Sequence, residues 1–217
     1  MVLSDGAGSA RHARAGATLV ARVWMDHFRE LLAEATDPEA ALRSVTRVDA
    51  LALLGRIREA FFEEARARET EPVEFSATLL GAVLMPGYAL MVQVGDGAWV
   101  GLRSGVLGCV TWPVGGEFAG QTVFVNSAEA GEALQMVHVP GGLTALAGFT
   151  DGLERLVLDL GGRFPVAGFF LPVFRALRGG ARGFPGQVEA FLESDRVCKR
   201  TDDDKSLCLA VRSDAVL

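Results

Sequence analysis

The chain has 217 residues, 50% of them hydrophobic, with 21 basic against 27 acidic side chains. That length fits one domain, or one domain and a small appendage, and the apolar fraction excludes a disordered tail. A net charge of −6 and a pI near 5.2 argue against the basic face of a nucleic-acid binder and suit a protein that gathers carboxylates around cations.

Cysteine usage and hydropathy narrow the compartment. Cys109, Cys198 and Cys208 form no CxxC pair and cannot all pair with one another, so reduced thiols in the cytoplasm are expected. The opening MVLSDGAGSA has neither a basic n-region nor a long apolar h-region, so no signal peptide is expected. Residues 75–95 carry no charge and are long enough on paper to span a bilayer. Pro86-Gly87 interrupts that run with turn chemistry, which predicts two buried strands instead of a membrane helix.

In chain order, 17–35 shows the one-face spacing of an amphipathic helix, with Val20, Trp24, Phe28 and Leu31 on its apolar side. Asp37-Pro38 is an N-cap followed by a first-turn proline. A second helical pattern runs to about residue 68, with a break over 46–49. Short β-branched runs then predict strands at 78–84, 89–94, 98–102, 106–112, 121–126, 134–139 and 143–149. Helix resumes at 153–158, recurs at 172–177 and 187–193, and a last strand is expected at 206–212. Two helical blocks around a strand meander, with no linker and no repeat, indicate an α+β fold in one domain over 1–217.

Several chemistries are excluded by residue type. There are three histidines, His12, His27 and His138, with no G-x-S-x-G elbow and no His-Glu-x-x-His, so neither a serine triad nor a zinc hydrolase is furnished. Gly6-Ala7-Gly8 lacks the third glycine of a dinucleotide fingerprint. Lysine occurs only at Lys199 and Lys205, so a phosphate-binding loop of the Walker type is missing as well.

Aspartates remain. Asp5-Gly6, Asp96-Gly97 and Asp151-Gly152 each follow a strand-like run, and Asp202-Asp203-Asp204 precedes the last strand. A carboxylate at a strand end sits on the rim of a sheet, and several converging there make an oxygen site for Mg²⁺ or Mn²⁺. Asp-Gly is equally the dipeptide of hairpin turns, and an acidic triplet is commonly a solvated loop. Val94-Gly95-Asp96-Gly97-Ala98 reads as a hairpin, so Asp96 is assigned to a turn. For Asp5, Asp151 and Asp203 the spacing alone leaves both readings open.

The series DGAGSARHARAG, VGDGAWV, WPVGGEFAGQTVFV, LAGFTDGLERL and TDDDKSLCLAVR, in that order, resembles the PPM-type (protein phosphatase 2C-like) metal-dependent phosphatases, in their compact bacterial branch. The resemblance runs from Asp5 to Arg212. It implies a four-layer α-β-β-α sandwich of two antiparallel sheets flanked by helix pairs. It also implies that Asp5 bridges two Mn²⁺ or Mg²⁺ ions, that the Gly6 carbonyl binds one of them, and that Asp151 and Asp203 ligate the second. Asp202 is the register alternative to Asp203, Asp204 stands where relatives often carry Asn, and Glu117 falls where some relatives hold a third ion.

The chemistry implied is two-metal hydrolysis of phosphoserine or phosphothreonine on proteins, without a covalent phosphoenzyme. Phosphoprotein substrates and a serine/threonine kinase or its targets are the implied partners, with no nucleic acid and no membrane. Arg11 and Arg14 are placed to attract phosphate, or are solvated charges on the lead-in to a helix. Family members usually carry further strands upstream, bearing an arginine and an acidic pair, so an N-terminally incomplete domain is expected. A PPM-like module that binds without turnover is the alternative. A Ca²⁺-binding loop at 202–204 ranks last, because the twelve-residue EF-hand pattern is missing.

Overall fold

A computed structural model describes residues 1–114 and 122–214. The first element is a two-residue strand, β1 (Val2–Leu3), followed by α1 (Ala13–Glu34), α2 (Pro38–Ser44) and α3 (Arg47–Ala67). Asp37 caps α2 as predicted, its carboxylate accepting the backbone N–H groups of Glu39 and Ala40 at 3.0 Å. The predicted break in the second helical run is real: Thr46 and Asp49 form a capping box that starts α3. Its buried positions, Ala50, Leu53, Leu54, Ile57, Phe61 and Ala65, keep the spacing of a single apolar stripe. A 3₁₀ turn at Pro72–Phe75 leads into the strands.

β2 (Leu79–Leu84) and β3 (Tyr88–Val94) are the two halves of the long uncharged run, paired antiparallel across the Pro86-Gly87 turn. Among the described residues no helix is long and apolar enough to cross a membrane. Next come β4 (Ala98–Arg103) and β5 (Val106–Cys109), joined by Ser104 and Gly105, both with positive φ as a type I′ turn requires. The expected strand to residue 112 stops early because Val110 and Thr111 both donate to the Trp99 carbonyl, a bulge that ends the ladder.

The strand expected at 121–126 is corrected over its described part, 122–126, which lies outside the named strands. Val123 and Val125 are buried there, so the alternating pattern reports burial of a loop. After the short α4 (Ala130–Ala133) follow β6 (Gln135–Pro140), β7 (Ala145–Phe149), α5 (Glu154–Val157) and the small hairpin β8 (Leu158–Asp159) and β9 (Phe164–Pro165). The chain closes with α6 (Ala167–Arg178), α7 (Phe184–Leu192), α8 (Asp195–Cys198) and β10 (Leu207–Val211).

These elements form two compact units. The first, 1–96 and 113–142, holds the antiparallel sheet β1-β2-β3-β6 with β1 at its edge. Trp24 of α1, 1% exposed, lies flat over Gly81 of β2, where a β carbon would collide with the indole ring. Gly16 likewise lets α1 press against the Phe75 carbonyl. The second unit, 97–112 and 143–217, holds the antiparallel sheet β10-β7-β4-β5. α6 packs on this sheet through Phe170 and Phe174, and Phe169 of α6 meets Phe191 of α7 with ring centroids 5.9 Å apart. Two antiparallel sheets with helices alongside agree with the α+β expectation.

Candidate metal centre

Each unit delivers strand-end carboxylates. In the first, Asp5 follows the edge strand β1 and is half-buried. Thr78, 1% exposed, fixes its backbone. The Thr78 Oγ1 accepts the Asp5 N–H at 2.9 Å, the Asp5 carbonyl accepts the Thr78 N–H at 2.8 Å, and Ser4 Oγ donates to the Thr78 carbonyl at 2.6 Å. Gly6 bridges to Ala77 and lies so close to the start of α1 that a β carbon would stand 2.6 Å from the Ala13 carbonyl group. DGAGSA therefore runs as a tight lead from strand to helix, with backbone in place of side-chain bulk at position 6.

The second unit builds its part from adjacent strands. β7 ends at Phe149 opposite Leu207 of β10, and one step beyond, Thr150 and Ser206 continue the ladder. The Thr150 N–H donates to the Ser206 carbonyl at 3.2 Å, and Thr150 Oγ1 accepts the Ser206 N–H at 3.1 Å. Thr150 is 2% exposed and Ser206 is half-buried, so both hydrogen bonds are partly shielded from water. This clamp sets Asp151 beside the 202–205 loop. One carboxylate oxygen of Asp151 and one of Asp203 lie within 4.8 Å of each other.

Backbone donors aim both carboxylates. Gly152 N–H donates to Asp151 Oδ1 at 2.8 Å, and Asp204 N–H donates to Asp203 Oδ1 at 3.0 Å. Lys205 Nζ turns to the Asp203 carbonyl at 3.3 Å. Two unit negative charges within 4.8 Å of each other repel by about 1 kcal/mol or more in bulk water and by roughly 3–4 kcal/mol or more at an effective dielectric of 20. A divalent cation removes that cost, and an all-oxygen donor set suits Mg²⁺ or Mn²⁺. The residues present thus fit a hard cation.

Other sequence candidates fall elsewhere. Asp96 is corrected: β3 and β4 belong to different sheets, so Gly95-Asp96-Gly97 is a connection between sheets and not a hairpin. The Asp96 carboxylate accepts the Thr122 hydroxyl, while the Gly97 N–H donates to Glu154. Arg11 and Arg14 line a groove beside α1. Asp202 and Asp204 are exposed on the loop that carries Asp203. Glu117 lies outside the described residues. Sequence reasoning passed over Thr78 and Thr150; the signal for Thr150 was present, a β-branched hydroxyl residue at a strand end immediately before Asp-Gly.

The family model described as protein phosphatase 2C matches residues 1–193. Serine/threonine-protein phosphatase 3 of Escherichia coli (strain K12) is 32% identical over 213 residues, covering 96% of this chain and 82% of that protein. The solved catalytic domain of the serine/threonine phosphatase PstP, in complex with two manganese ions, superposes with a TM-score of 0.61 at 14% identity, over 96% of this chain and 84% of that one. PppA, a regulatory component of the T6SS in Pseudomonas aeruginosa, gives a TM-score of 0.58 at 18% identity, over 96% and 83% of the two chains. The structural likenesses carry the fold, and the sequence matches carry the family. The chain belongs to the protein phosphatase 2C family of protein serine/threonine phosphatases.

Proposed function

We propose that the chain acts as one phosphatase domain over 1–217 that hydrolyses phosphoserine and phosphothreonine on proteins, using two Mn²⁺ or Mg²⁺ ions held by Asp5, the Gly6 carbonyl, Asp151 and Asp203. The observation that carries the reading is the enforced approach of Asp151 and Asp203, whose carboxylates come within 4.8 Å on a loop and strand end locked by Thr150. Asp5 joins this set on its motif, DGAGSA, and the manganese pair of PstP supports the choice of ion. Glu117, in the GGEFAGQT segment, is the candidate for a third ion.

Bound, the ions would supply a water acidic enough to attack phosphorus near neutral pH, together with charge to neutralise the phosphoryl oxygens. The chain's own contribution is placement. Thr78 and Thr150 hold the two strand ends, and the backbone N–H groups of Gly152 and Asp204 turn the carboxylates. No side chain is needed as nucleophile, which suits a sequence without a serine or cysteine triad. Substrates are phosphoproteins, and the natural counterpart is a serine/threonine kinase or its targets. The three free thiols suit a reducing cytoplasm.

The test is Mn²⁺-stimulated release of phosphate from a phosphothreonine peptide. Asp151→Asn and Asp203→Asn are each expected to lower kcat by at least about 100-fold, and calorimetry should show weaker Mn²⁺ binding in both. A folded wild-type chain that neither binds Mn²⁺ nor turns over would make it a binding module instead.

A further inference from the structure

On the first unit, α1 with the residues leading into it and the C-terminal end of α3 border a groove of about 510 Å³ lined by Arg11, Arg14, Arg22 and Arg68, with His12 and Thr18. Four guanidinium groups share it with a single carboxylate, Glu64, which is already engaged by Arg68 at 2.6 Å. Glu74, nearby, accepts the Arg11 backbone N–H at 2.6 Å. The side chains of Arg11, Arg14 and Arg22 make no ion pair among the described residues, and all four arginines are exposed. In a chain of net charge −6, such a patch runs against the protein's overall field.

The groove is also prepared. Phe75, fully buried, stacks on His12 with centroids 5.2 Å apart and carries the Arg68 guanidinium 5.9 Å from its ring centre. Arg14, Thr18 and Arg22 follow one another at four-residue intervals on the same face of α1. Eight residues of helix separate Arg14 from Arg22 by about 12 Å, a distance an extended peptide covers in roughly four residues.

We propose that this groove docks an acidic stretch of the substrate polypeptide, with carboxylates about three or four residues apart, flanking the phosphorylated residue. Guanidinium forks pair carboxylates in bidentate geometry, so the patch selects anionic side chains. The proposal rests on the phosphatase reading above and adds a preference among phosphoproteins.

The experiment measures docking apart from turnover. A fluorescein-labelled phosphothreonine peptide flanked by glutamates at four-residue spacing, and the same peptide with glutamines, are titrated by anisotropy in EDTA at 150 mM salt. The acidic peptide is expected to bind at least tenfold more tightly. R14E/R22E should erase that difference, with R14Q/R22Q intermediate as the variant of lesser charge change. Under Mn²⁺ the preference in kcat/KM for the acidic peptide should collapse towards unity in the same variants. Equal binding of the two peptides, undiminished binding by R14E/R22E, or displacement of the peptide by an RNA oligonucleotide of equal charge at lower concentration would each overturn the proposal. Docking that persists without any hydrolysis would instead count against the phosphatase reading alone.

Discussion

Gly152 has no room for a β carbon, because the carbonyl oxygen of Asp204 occupies the space where one would stand. The Asp-Gly turn after β7 and the acidic loop before β10 are thus in backbone contact. This contact, with the Thr150–Ser206 pair beside it, brings Asp151 and Asp203 together. Gly152→Ala should push the 202–205 loop away, at a cost of about 1–3 kcal/mol, and weaken Mn²⁺ binding at least tenfold by calorimetry. Gly108→Ala is the control, since nothing lies within 4 Å of a β carbon there. Equal behaviour of the two variants would remove the backbone contact from the account.

Two buried threonines carry the strand ends. Thr150→Val keeps the shape but leaves the Ser206 N–H without its acceptor, and Thr78→Val does the same to the Asp5 N–H. Each is expected to lose about 1–3 kcal/mol in urea denaturation and to lower kcat/KM for a phosphothreonine peptide. Thr150→Ser and Thr78→Ser, which keep the oxygen, should recover most of both losses.

Much of this was legible in the sequence. The capping pair Asp37-Pro38, the break at Thr46 and the Pro86-Gly87 turn are local chemistry, and local chemistry is what residue patterns encode. Position 96 was misread because Gly-Asp-Gly between two β-branched runs looks the same whether the second strand returns to its own sheet or enters another; that choice is made by pairing with residues distant in sequence. The 121–126 pattern failed for a related reason, since alternation reports alternate burial, which a loop against a core also produces. Thr78 was missed because a threonine at a strand end is ordinary until its partner is known.

Thiol reactivity separates the three cysteines. Burial pushes the Cys109 thiol up to about 11 and raises that of Cys208, while Cys198 is exposed on α8. Because the thiolate is the reacting form, iodoacetamide at pH 8 should modify Cys198 at least tenfold faster than either of the others. In guanidinium chloride the three rates should converge. Fast labelling of Cys109 in the folded chain would contradict its placement in β5.

His27 makes stability depend on pH near neutrality. Burial lowers its pKa from 6.5, and Arg56 lowers it further, with its Nη1 at 2.9 Å from His27 Nδ1; Glu30 and Asp49 act in the opposite direction. Between the lowered folded value and the unfolded value of 6.5, the unfolded chain holds a proton that the folded chain does not. Stability therefore rises with pH across that window, is fully present above it, and is lost as acid drives the proton onto His27 beside the Arg56 guanidinium. The urea midpoint should fall between pH 7.5 and 5.0, and His27→Gln, which can still accept from Arg56 but cannot titrate, should flatten that fall. Asp49, whose carboxyl is held below its ordinary value chiefly by the Thr46 hydroxyl, contributes its own loss only at lower pH, so the two can be resolved. If His27→Gln and the parent chain lose stability in parallel down to pH 5.0, the imidazole is not the group responsible.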